Sequence, residues 1–190
     1  MIRYKFLQLL SGTFVFMLSS AALNTVLAQP ANNKLSAAKK DDRPSPPTET
    51  NGTIGDLKVQ IKYSQPSVKG RNVWGELVPY GKVWRTGANE ATTIELSRDC
   101  KVAGKMLRAG KYALFSIPGE KNWTIIFNTV ADQWGAYKYD ESKDALRITE
   151  VKPGKSSEFN ERLKFDVKTS GDEGEITLSW ENLKIVLPIR

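Results

Sequence analysis

The chain contains no histidine and a single cysteine, Cys100, among its 190 residues. The first absence excludes Ser-His-Asp and Cys-His nucleophilic sites, an imidazole base and His-liganded zinc. The second excludes an internal disulfide and any Cys-x-x-Cys pair. Cys100, set between Asp99 and Lys101, reads as a small packed side chain. No run of five or more like charges occurs, and the net charge of +7 is spread along the chain. Nucleic-acid binding needs a concentrated basic face, so no such partner is expected. The dinucleotide glycine motif, the phosphate loop and the Gly-x-Ser-x-Gly elbow are all missing. Asp140, Glu141 and Asp144 lack the spacing of a calcium loop and read as a solvated turn. No metal site, cofactor or catalytic residue set is expected.

What is present begins with an export pattern. Arg3 and Lys5 precede an apolar stretch, Phe6–Leu18, and a small-residue region ends Val26-Leu27-Ala28. This order is that of a secretory signal peptide. The apolar stretch falls short of the roughly 20 residues that cross a bilayer, so no membrane anchor is expected after cleavage. Residues 1–28 are therefore assigned to the signal, with Ala22 as the second choice of cleavage site. The mature protein is expected in the periplasm or outside the cell. Residues 29–52 are rich in Pro, Asn, Lys and Ser, with Leu35 the one large apolar side chain. Such a stretch cannot bury enough surface to offset its ordering entropy and reads as a disordered linker.

From residue 53 the texture changes. The 40% hydrophobic and 26% charged composition suits a globular domain. Leu57, Val59, Ile61 and Tyr63 alternate with polar residues, as do Ile94 and Leu96, and Trp123, Ile125 and Phe127 alternate with Thr124 and Ile126. Tyr112–Ile117 is an inner apolar run, and Pro118–Asn122 is a turn that makes it half of a hairpin. Leu146 with Ile148, then Leu163–Val167, Ile176–Trp180 and Leu183–Leu187, add further strands. The best helical stretch is short, Asn72–Val78. The fold class is all-β: a single antiparallel β-sandwich or barrel-like domain, residues 53–190, with a short helical turn.

The chemistry concentrates in Pro66–Thr93, a stretch punctuated by Gly70, Gly75, Gly81 and Gly87. It brings Arg71, Trp74, Trp84, Arg85, Thr86, Asn89 and Glu90 together in sequence. Indoles beside guanidinium, hydroxyl and carboxamide groups suit a saccharide, an envelope component or a peptide. The same groups equally suit a corner locked by its own hydrogen bonds. Trp134, in the aromatic loop Trp134-Gly135-Ala136-Tyr137, either packs over this stretch or belongs to the core. Glu76 and Glu90 offer the two carboxylates of a hydrolase as an alternative, and a purely structural envelope interaction protein is a third reading. Partners are thus a small molecule, saccharide or envelope peptide; oligomeric state is not legible.

The run Tyr63-Ser64-Gln65-Pro66-Ser67-Val68-Lys69-Gly70-Arg71, followed by Trp74-Gly75-Glu76-Leu77-Val78-Pro79-Tyr80-Gly81-Lys82-Val83-Trp84-Arg85-Thr86-Gly87-Ala88-Asn89-Glu90-Ala91-Thr92, resembles the bacterial family called domain of unknown function 2911. The likeness continues through Ala109–Tyr112, Trp123–Asn128 and Asp144–Arg147 to Trp180-Glu181. It departs at Gln65, where the family more often carries arginine. The resemblance implies an exported bacterial protein and no assigned reaction, so it supplies no catalytic residues. Intact-mass measurement of the exported protein is expected to give a chain beginning at Gln29; a mature form retaining Met1 would remove the export reading.

Overall fold

The computed structural model describes residues 42–190, so the expected signal peptide and residues 29–41 of the expected linker lie outside the described residues. Two antiparallel sheets form a sandwich. The larger has six strands in the order β1 (Pro47–Ile54), β2 (Leu57–Ser64), β3 (Thr92–Leu96), β6 (Gly110–Ile117), β7 (Trp123–Asn128) and β8 (Asp144–Val151). The smaller has four, in the order β5 (Lys105–Leu107), β4 (Cys100–Val102), β10 (Glu173–Ile189) and β9 (Gly154–Ser170). The alternating side chains of β2 point Leu57, Val59, Ile61 and Tyr63 inward. Phe165 and Leu178, paired across the β9–β10 hairpin, meet that face from the opposite sheet.

Three features differ from the sequence reading. The domain starts before residue 53, because Pro47–Gly52, read as linker, pair along β2 from Pro47↔Ser64 to Gly52↔Val59. This strand is polar and Thr-rich, which hid it; only Ile54 at its end is buried. Gly52 is no breaker here. A Cβ on it would come within 2.5 Å of Val167, so its bare backbone lets β1 lie directly against β9. Second, Asn72–Val78 is not helical but a knot of turns, closed by Val78 N–H donating to Val73 O and Gly75 N–H to Val78 O. The single helical turn among the described residues is Glu141–Lys143, capped by Asp140. Third, β4 and β5 form a three-residue hairpin around Ala103 and Gly104, both at positive φ (46° and 81°) as a two-residue turn requires.

The long segment between β2 and β3 lacks strands of its own. Isolated bridges hold it to the body, pairing Ser67 with Arg162, Trp84 with Ser116 and Glu90 with Trp134. Four indoles then fasten it from within. Trp74 and Trp84 come from the segment, Trp123 from β7 and Trp180 from β10, one from each sheet. Trp74 meets Trp84, Trp123 and Trp180 edge to face at 5.9, 5.0 and 5.6 Å, and Trp84 stacks on Trp180 at 5.9 Å. Such edge-to-face pairs add roughly 0.5–1.5 kcal/mol each beyond the area they bury. Trp180→Ala is therefore expected to cost about 3–5 kcal/mol in urea unfolding, while Trp134→Ala, at an exposed indole, is expected to stay within about 0.5 kcal/mol. Equal losses would show that the cluster does not organise this end of the sandwich.

Candidate functional site

The residues singled out in sequence separate into three groups. The first is core. Trp84 is 9% exposed and its indole N–H donates to Gly87 O at 3.0 Å. Trp74 packs against three other indoles, and Trp84 is also part of the wall of the cleft described next. Thr86 is buried, with its hydroxyl 3.0 Å from that of Ser116. Its φ of +51° is a strained value for a β-branched residue and is held by Thr92, whose hydroxyl donates to Thr86 O at 2.8 Å. Gly87 follows because a Cβ would sit 2.8 Å from that same Thr92 oxygen. These are the locks of a corner.

The second group lines a cleft of about 260 Å³. Arg71, Arg85 and Asn89 supply its polar groups, and Pro66, Leu77 and Ala88 are among its apolar walls. Arg71 is braced by the segment itself, donating through Nε to Val68 O at 3.0 Å and through Nη2 to Ser67 O at 2.5 Å. Asn89, at φ +59°, donates to Ser45 O at 2.9 Å and so ties the strand entry to the cleft rim. Arg85 differs from both. Its Nε is buried, and among the described residues its guanidinium forms no hydrogen bond or ion pair.

The third group faces a separate, shallower cleft of about 440 Å³ on the outer face of the six-stranded sheet. Glu90 and the 57%-exposed Trp134 line it with Lys62 and Lys111. The aromatic loop does pack over the glycine-rich segment: Ala91 N–H donates to Gln133 O at 3.0 Å and Gly135 N–H to Asn89 O at 3.1 Å. Glu90 is held by Arg43, at 2.9 and 3.1 Å, and not by its sequence neighbour Arg85. Arg43, Ser45 and the two lysines were not recognised as site residues. The cation in Arg43-Pro44-Ser45-Pro46-Pro47 is the one signal in sequence, and the proline-rich context around it reads as linker.

The carboxylates do not assemble. Glu76 accepts from Asn72 Nδ2 at 2.9 Å and lines neither cleft, whereas Glu90 lines the outer one. The turn at Asp140–Asp144 also differs from expectation, since Asp144 is not solvated: its side chain is 4% exposed. It receives Arg147 at 2.7 Å, Tyr139 Oη at 2.6 Å and Asn128 Nδ2 at 2.7 Å. Burial first, and then the Asp144 carboxylate, push the Tyr139 phenol far above its ordinary range. Burial likewise pushes the Cys100 thiol up, leaving a packed sulfur rather than a nucleophile.

Partial burial works to raise the Glu90 pKa, but its own backbone N–H and the Arg43 guanidinium outweigh this and hold the carboxyl below its usual range. Because folding lowers this pKa, the pair adds stability above the ordinary carboxylate range. That contribution disappears as pH falls through the lowered value. Glu90 is 53% and Arg43 36% exposed, so the pair is worth less than about 1 kcal/mol. Glu90→Gln is expected to cost up to that amount at neutral pH and nothing near pH 2, read from urea midpoints. A cost that persists unchanged in acid would assign Glu90 another role.

No curated protein and no solved structure matches the chain. The family model described as a protein of unknown function (DUF2911) matches residues 45–189, a span that begins two residues before β1 and ends with β10, and the chain belongs to that family.

Proposed function

We propose that this chain is an exported, non-catalytic module that binds a small polar ligand, or one end of a larger saccharide, envelope component or peptide, in the cleft beside Arg85. One observation carries the reading. A guanidinium with a buried Nε and no partner among the described residues stands in the wall of an open cleft. Buried polar groups are almost always satisfied, and a charged one left unpaired costs more than a neutral one. A purely structural role accounts for Trp74, Trp84, Thr86 and Arg71, each of which is saturated or packed within the fold. It leaves Arg85 without a reason.

The hydrolase alternative has less support. An acid and a base or nucleophile must flank one substrate bond. Glu76 and Glu90 are each engaged by a different neighbour, Asn72 and Arg43, and do not share a cleft.

Glycan and peptide arrays probed with the mature chain are expected to give retained ligands, and Arg85→Ala is expected to abolish that retention with its thermal midpoint unchanged. Retention that survives in folded Arg85→Ala would move the site elsewhere. Arrays with no ligand at all would return the domain to a structural role.

A further inference from the structure

We infer that the Arg85 cleft selects an oxyanion, a carboxylate or phosphate group carried on a small body. This rests on the binding reading above and adds the charge of the ligand to it. The cleft lining contains two guanidinium groups and no carboxylate. Arg71 is bound by two carbonyl oxygens, which orient it but cancel none of its charge. The Arg85 guanidinium has no hydrogen-bond or ion-pair partner among the described residues. The carboxylate nearest to it in sequence, Glu90, faces the other cleft and is occupied by Arg43.

Arg85 is half-buried: its Nε is enclosed, while the rest of the fork faces the cleft, placed to meet an anion that enters. Among the described residues the lining supplies no anion, so the cleft is suited to one brought by a ligand. The planar fork of N–H donors matches two oxygens of a carboxylate or phosphate, giving shorter and stronger bonds than neutral pairs. Pro66, Leu77 and Ala88 leave the rest of the wall apolar, suited to a carbon skeleton behind the charged head. A volume of about 260 Å³ fits a monomer-sized unit; sites for larger ligands begin near 300 Å³.

The test follows the Arg85 Nε–H resonance in the ¹⁵N-labelled full-length domain as three probes sharing one sugar ring are added at constant ionic strength. These are glucuronate, glucose 1-phosphate and neutral glucose. Saturable displacement of the Arg85 signal by either charged probe, with glucose at least tenfold weaker, is the expected result. The stronger of the two charged probes identifies the head group as carboxylate or phosphate. Arg85→Lys keeps the charge without the fork and is expected to weaken binding about tenfold, and Arg85→Gln is expected to abolish it, with backbone spectra otherwise unchanged. Saturation by glucose as strong as by the charged probes would overturn the oxyanion inference and leave the binding reading standing. An unsaturable drift, or displacement shared equally by surface lysines and arginines, would overturn the inference too. Ligand retention on arrays of neutral glycans would then show that the binding reading survives alone.

Discussion

Four indoles meeting at one end of the sandwich hold the segment between β2 and β3 in place. That segment has no ladder of its own, and the bridges at Ser67, Trp84 and Glu90 are single. Ordering so long a stretch costs conformational entropy at every residue. Trp74 and Trp84 offset that cost by burying the largest side chains available between Trp123 of one sheet and Trp180 of the other. The indole N–H groups of Trp74, Trp123 and Trp180 have no hydrogen-bond partner, so the cluster is held by shape and ring electrostatics and not by polar satisfaction.

The same cluster helps to form the smaller cleft. Trp84 and Trp180 contribute to the wall of the smaller one, which makes that wall part of the core and gives it core rigidity. Arg85 follows Trp84 in the chain, and an indole pinned in the core leaves its neighbour little freedom to swing away. Asn89 and Glu90, adjacent in sequence, are divided between the smaller and the larger cleft, and the strand entry at Arg43–Ser45 is stitched to both of them.

Much of the fold was legible in sequence because half-buried strands write themselves as alternation: β2 and β3 each carry it openly. β1 was illegible for a physical reason. It packs by Thr side chains and a bare glycine, and Thr-Gly-rich sequence is equally the signature of a spacer. The β4–β5 hairpin is too short to show a period, and its Ala103 adopts a conformation usually reserved for glycine or asparagine. Within the site, the glycines were readable as turns, and Gly70, Gly75 and Gly81 do take positive φ. The direction of the indoles was not readable. Tryptophan is as good a wedge as a platform, and sequence alone does not say that Trp84 faces inward while Trp134 faces solvent. Arg85 and Arg71 looked alike in sequence; only the neighbouring carbonyls distinguish a brace from an unpaired charge.

Among the described residues, the only charged side chains lining the smaller cleft are guanidinium groups. These keep their protons throughout the physiological range, and the chain has no imidazole that would titrate beside them. If the cleft binds the oxyanion proposed above, acidification does not switch its own side off. An occupant expelled by low pH must neutralise itself, a carboxylate near pH 4 or a phosphate losing its second charge near pH 6. Sensitivity to the acidity of the surroundings would then be a property carried in by the guest, with the host indifferent to it.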